Sequence, residues 1–193
     1  MNVTLRIAAP DDAAIINEIF GYYIDNSVST FNEVNKTILE RRLEVESLLE
    51  QHPFLVAESE GQFLGFANAE PMRPQTGYRY TVELTIYLHP NAPKHSGVGK
   101  ALYRSLLDIL AKQGYRSAFG VLCATNAASL ALHDYFDFEE VARFNCAGYK
   151  HGMWLDTLWM RKVLNPFDDS PALPIPFSRY RTQVTFESLN AIK

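Results

Sequence analysis

Cysteine is scarce in this 193-residue chain: Cys123 and Cys146 are the only two. With no C-x-x-C and no Cys/His zinc spacing, they exclude a disulfide scaffold and are read as reduced thiols of a reducing compartment, the cytoplasm. A basic excess is missing too. The 18 Lys+Arg stand against 22 Asp+Glu, a net charge of −4, which argues against a general nucleic-acid binder. No run of about 18 apolar residues occurs, so no membrane-spanning helix is expected. Arg6, Asp11, Asp12 and Glu18 interrupt the apolar positions of residues 1–30, and no secretory leader is read there. What is present is enough apolar residue, 47%, for one domain with a core of its own.

Periodicity organises the chain. Val3, Leu5 and Ile7 alternate as in a strand, and Asp11 or Asp12 after Pro10 is expected to cap a helix with Ile15, Ile19, Tyr22 and Tyr23 on one face. A loop over 26–33 carries Phe31. A second helix is read over 35–51, with Leu39, Leu43 and Glu46 in one line and Val45, Leu48 and Leu49 beside it. Strands follow over 54–58, 62–70 and 79–88, then an amphipathic helix over 99–113 stopped by Gly114. A strand over 115–123, a short helix over 127–136 and strands over 138–147 and 153–163 complete the order β-α-α-β-β-β-α-β-α-β-β. That order predicts an α/β fold with a mixed sheet flanked by helices. From Leu164 the character changes, because Pro166, Pro171, Pro174 and Pro176 crowd together. We therefore divide the chain into a domain, 1–163, and a Pro-rich C-terminal extension, 164–193, expected to run as an extended tail. Its aromatics Phe167, Phe177, Tyr180 and Phe186 leave a role in assembly open.

Lys94-His95-Ser96-Gly97-Val98-Gly99-Lys100 lies between a strand and a helix. Glycines there let the backbone approach a ligand, and the free N–H groups of the first helical turn attract an anion. A P-loop would need Gly at position 94 and Ser or Thr at 101, where Lys94 and Ala101 stand. A dinucleotide fingerprint would need a third glycine and an earlier place in the chain. The segment instead resembles the pyrophosphate loop of the GNAT N-acetyltransferase superfamily, with Lys94 where Arg or Gln is usual. Ser29-Thr30-Phe31-Asn32-Glu33, Tyr78-Arg79-Tyr80-Thr81-Val82-Glu83, Asn126-Ala127-Ala128-Ser129 with Leu132-His133, and Gly148-Tyr149-Lys150-His151-Gly152 with Trp154 and Asp156 extend the likeness over about 5–163. Within the superfamily they resemble the phosphinothricin and methionine sulfone or sulfoximine N-acetyltransferases. Met72 stands where these carry Trp, and Asp137 where they carry Gly.

The resemblance implies the superfamily's fold, a central mixed, mostly antiparallel sheet, and direct transfer of the acetyl group of acetyl-CoA to a small amine, with no metal. It implies coenzyme contacts from Ile86, Tyr87, Leu88, His95, Ser96, Gly97, Val98, Gly99, Lys100 and Asn126, with Arg104 adding charge near the phosphates. Acetylation needs a neutral amine, whereas an amine of ordinary pKa is protonated near neutrality, so a base is useful. Glu83 is the candidate; His133, where many relatives carry a Tyr, is the second, as acid or base. Otherwise an alternating-strand Glu faces solvent and a lone helical His is structural. Phe31, Arg73, Arg79, Tyr80, Glu83 and Thr85 are the acceptor-binding candidates, an arginine being the partner an acceptor carboxylate needs. The hairpin turn at Tyr149, Lys150 and His151 is expected near the active site or a second subunit of a homodimer, with Trp154 and Trp159 in the core or interface. Cys123 is read as core. A protein or peptide amine as acceptor, or a non-catalytic coenzyme-A-binding module, are the alternatives.

Overall fold

The computed structural model describes residues 2–186 and the backbone of residues 189 and 190; residues 1, 187, 188 and 191–193, including the end of the expected tail, lie outside the description. The elements are β1 (Asn2–Ile7), α1 (Ala13–Asn26), α2 (Ile38–Gln51), β2 (Phe54–Ser59), β3 (Gln62–Pro71), β4 (Thr81–Leu88), α3 (Val98–Gln113), β5 (Ser117–Cys123), α4 (Ala127–Tyr135), β6 (Glu139–Lys150), β7 (Met153–Val163), the single turn α5 (Phe177–Tyr180) and the two-residue β8 (Leu189–Asn190). Up to β7 they follow the order read from the sequence.

The strands form one sheet in the order β6-β7-β5-β4-β3-β2-β1-β8. Every pairing is antiparallel except β4 with β5. That parallel pair is in register over only three rungs, Thr81↔Ser117, Val82↔Ala118 and Glu83↔Phe119. Past Glu83 the two strands part, β4 staying on β3 and β5 on β7. The sheet thus forks, and the fork opens on the ends of both strands. Helices lie on both faces. Tyr87 meets Phe20 and Tyr23 of α1 at ring separations of 4.6 and 4.9 Å, whereas Ile86 and Leu88 lie beside Gly99 of α3.

Several local expectations are corrected. The second helix begins at Ile38, not Asn35, because Thr37 and Glu40 form a reciprocal capping box. Its buried line is Arg41–Val45–Leu49, while Leu39 and Leu43 face solvent. Tyr22 of α1 is also exposed, the buried side carrying Ile16, Ile19 and Ile24. Asp12 does not cap α1; its carboxylate accepts from Ala9 N–H and pairs with Arg6. The 164–186 segment is held down rather than free. Asn165 donates to the carbonyls of Ala111 and Tyr115, Gln113 donates to that of Ile175, and Arg116 pairs with Asp168. One helical turn forms after Pro176 and buries Phe177 completely, with Tyr180 beside it.

Candidate active site

The fork holds a cavity of about 430 Å³. Strand alternation decides what lines it. On the α1 side are Glu70 of β3, Glu83, Thr85 and Tyr87 of β4, and Phe31 from the α1–α2 loop; on the α3–α4 side are Gly99, Tyr103, Ser129, Leu132 and His133. Gly120 to Cys123 of β5 form the opposite wall, together with Asn126. The cavity therefore passes through the sheet, joining residues that are far apart in the chain.

Glu83 stands on the last rung before the strands part. Burial raises its pKa above the ordinary carboxylate value, and the positive Arg73 partly opposes this. His133 is buried, and its ring is fixed at both nitrogens: Nδ1 lies 2.8 Å from the carbonyl of Ser129 and Nε2 lies 2.9 Å from the Tyr103 hydroxyl. A carbonyl only accepts, so Nδ1 carries the proton. Burial also lowers the imidazole's pKa, so the ring is neutral and Nε2 accepts from Tyr103. Gly120 leaves the room: a Cβ there would run into His133 Nε2. Tyr103 is itself fully buried, and desolvation keeps its hydroxyl protonated.

The loop carrying Phe31 is seated from the far end of the sheet. Lys150 of β6, buried, donates from Nζ to the carbonyl of Thr30 at 2.7 Å, and a Cβ at Gly148 would strike the Phe31 ring. Tyr87 donates to the carbonyl of Ser29 at 3.1 Å, and Asn126 to the Ser29 hydroxyl. Asn126 also caps α4, accepting from Ser129 N–H, which meets the capping reading of that residue.

Among the candidates named from the sequence, Phe31, Glu83, Thr85, Ile86, Tyr87, Leu88, Gly99, Asn126 and His133 line the cavity, and Cys123 is buried in its wall. His95, Ser96, Gly97, Val98 and Lys100 do not line it; the first three lie in the turn leading into α3, where Gly97 takes a left-handed φ of 80° as the residue before the helix, and Val98 and Lys100 stand in the helix's first turn. Lys100 lies over the Tyr135 ring at 3.5 Å, and Arg104 donates to the Tyr135 hydroxyl, placing two cations at the start of α3. Three acceptor candidates are not brought to the cavity. Arg79 bonds back to the carbonyl of Thr76, Tyr80 donates to the carbonyl of Pro171, and Arg73 stacks on Trp159. For Arg79 the reason is local: residues 76–78 form a tight 3-10 turn, and the side chain folds back onto its first carbonyl. Sequence reasoning missed Glu70, Tyr103 and Gly120. A Glu two positions from the polar Asn68 in an otherwise apolar strand was the signal available for the first; strand alternation does not say which polar face meets a cavity.

Comparison with known proteins follows the same lines. The family model described as an acetyltransferase (GNAT) domain matches residues 5–159. The chain is 33% identical over 174 residues to the phosphinothricin N-acetyltransferase of Streptomyces viridochromogenes, covering 90% of this chain and 94% of that one. It is 33% identical to the L-methionine sulfoximine/L-methionine sulfone acetyltransferase of Salmonella typhimurium, covering 84% and 95% of the two chains. The crystal structure of a GNAT superfamily phosphinothricin acetyltransferase from Sinorhizobium meliloti in complex with acetyl-CoA superposes with a TM-score of 0.81 at 35% identity, covering 84% of this chain and 89% of that one. With the forked mixed sheet already in view, these matches establish that the chain belongs to the GNAT acetyltransferase family.

Proposed function

We propose that this protein transfers the acetyl group of acetyl-CoA to the primary amine of a small amino-acid-like acceptor of the phosphinothricin or methionine sulfoximine type. The observation that carries the reading is the convergence of Glu83 and His133 on one cavity through the forked sheet. The coenzyme's phosphates are assigned to the free N–H groups at the start of α3, beside Lys100 and Arg104. Its arm runs along Ile86–Leu88, where β4 has lost β5 as a partner and its backbone edge can pair with an added strand.

In this reading Glu83, its carboxylate made more basic by burial, takes the proton of the acceptor's ammonium. The neutral nitrogen attacks the thioester carbonyl, and the tetrahedral adduct collapses with loss of the C–S bond; the acylated nitrogen gives up its remaining excess proton, and the departing thiolate takes one up. Neutral His133 supplies no proton from Nε2, which already accepts one. It orients the Tyr103 hydroxyl, which lines the same cavity and is assigned here as the proton donor. The test is thiol release from acetyl-CoA with phosphinothricin, methionine sulfone and methionine sulfoximine. Release with at least one is expected, and none with any would defeat the acceptor assignment. Glu83→Gln is expected to lower kcat by on the order of 10²-fold or more; full activity would remove the base assignment.

We take residues 1–163 as the catalytic domain and 164–193 as an extension, and we propose a cytoplasmic location, a reading supported by the two free cysteines. Among the described residues no helix is long and apolar enough to cross a membrane. We also propose a homodimer, supported by the exposed Phe144, Tyr149, Met153 and Trp154 of the β6–β7 hairpin.

A further inference from the structure

Glu70 sits directly across the β3–β4 ladder from Glu83, and both line the same cavity. Two carboxylates opposed on adjacent strands repel each other, and burial deepens that cost because little water screens them. Among the described residues neither carboxylate makes a hydrogen bond or an ion pair. The neighbouring cations are engaged elsewhere. Arg41 of α2 pairs with Glu44 and lies over the Phe20 ring, Lys36 reaches Glu44 at 2.7 Å, and Arg73 lies over Trp159. The fold thus keeps two unmatched acids facing one space, and a cation arriving from solution would relieve them.

Glu70 also borders a second, smaller cavity of about 220 Å³ behind the first, together with Phe20, Asn32 and Thr85. That space has an apolar end at Leu48, Phe54 and Phe66 and a polar side at Arg41 and Asn68. An acceptor whose amine lies between the two acids has room there for the rest of its chain.

We propose that Glu70 is a second carboxylate for the acceptor amine, holding the ammonium from the β3 side while Glu83 holds it from β4, and so selecting for amines that bind as cations. This rests on the acetyltransferase reading of the same cavity. Electrostatics agree with it. Burial, then Glu83 and Glu44, push the Glu70 carboxyl up to about 7, with Lys36 and Arg41 opposing. The free site therefore shares a proton near neutrality and gives it up when a cation binds.

The experiment is steady-state kinetics with methionine sulfone as acceptor between pH 5.5 and 9, on the full chain. Glu70→Gln is expected to raise the acceptor KM about tenfold, the loss of one charged contact, with the KM for acetyl-CoA within twofold. The fall of acceptor kcat/KM below pH 7 should move to lower pH, and Glu70→Asp should recover part of the affinity. An unchanged acceptor KM and pH profile in Glu70→Gln would overturn the proposal while leaving the acetyltransferase reading intact. Should the unaltered protein release no thiol with any acceptor, carboxyl ¹³C NMR of glutamate-labelled protein titrated with butylamine decides it separately. Joint movement of the Glu70 and Glu83 signals supports the ammonium site, and signals that do not move overturn it.

Discussion

The two arms of the forked sheet are covered very differently. In the β1–β4 arm, β2 is buried at nearly every position and β3 through its whole middle, because α1, α2 and α3 lie on its faces. In the β5–β7 arm the outermost strand, β6, is exposed along most of its length, and Trp154 on β7 is 66% exposed. Both arms are rich in aromatic residues; what differs is the cover laid over them. The covered arm holds two acids, Glu70 and Glu83, opposite each other across the β3–β4 ladder. The bare arm meets the site twice: Gly120 to Cys123 of β5 form one wall, and Lys150 and Gly148 of β6 seat the Phe31 loop.

Breaking the cover should have the largest effect on stability. Phe177, from the tail, is completely buried in the core cluster, and Phe177→Ala is expected to cost about 3–5 kcal/mol. That corresponds to a fall in Tm of roughly 10 °C for a chain of this size. A melting curve unchanged by the substitution would show that the tail is not part of what stabilises this arm.

A smaller change of opposite sign is expected at Glu70. Its carboxyl loses its proton at about 7 in the folded chain but at the ordinary 4.5 when unfolded. Folding therefore favours the protonated acid, and the charge costs stability increasingly as pH rises from 4.5 through 7. Glu70→Gln should stabilise the protein by about 1–3 kcal/mol at pH 8 and by almost nothing at pH 4.5, as read from denaturant midpoints at the two values. Equal stabilisation at both would mean that the charge is not what the covered arm tolerates. A residue kept at a cost to stability suits a binding role.

The bare arm should respond least in its own folding. Trp154→Ser, at an exposed position, is expected to change unfolding free energy by under about 0.5 kcal/mol. If the hairpin pairs two copies, the same substitution should lower the mass in solution, measured by light scattering. An unchanged mass with the predicted mild stability effect would assign the exposed aromatics to another purpose.

Much of this was readable from the residues. Gly114 ends α3 in a left-handed turn with φ 96°, and the apolar spacing of Leu102, Leu106 and Leu110 places that helix's buried side. The choice of Glu83 and His133 as candidates came from the motifs around them, and both line the cavity. The tail was not: its prolines do rule out a regular helix over most of 166–176, but composition says nothing about where an aromatic such as Phe177 finds cover. Nor were Tyr103 as the partner of His133 and the turning away of Arg79 and Tyr80, which follow from a helix crossing and a tight turn.

By itself the sequence determined the kinds of element, their order and the family, because these depend on side-chain period, caps and short motifs within a few residues of one another. The tertiary structure alone decided that the parallel β4–β5 pair parts after Glu83, that Glu70 faces Glu83 across the ladder, and that the tail closes the core. Those contacts join residues distant in the chain, and the register of strands and the packing of helices set them; no local pattern carries that information.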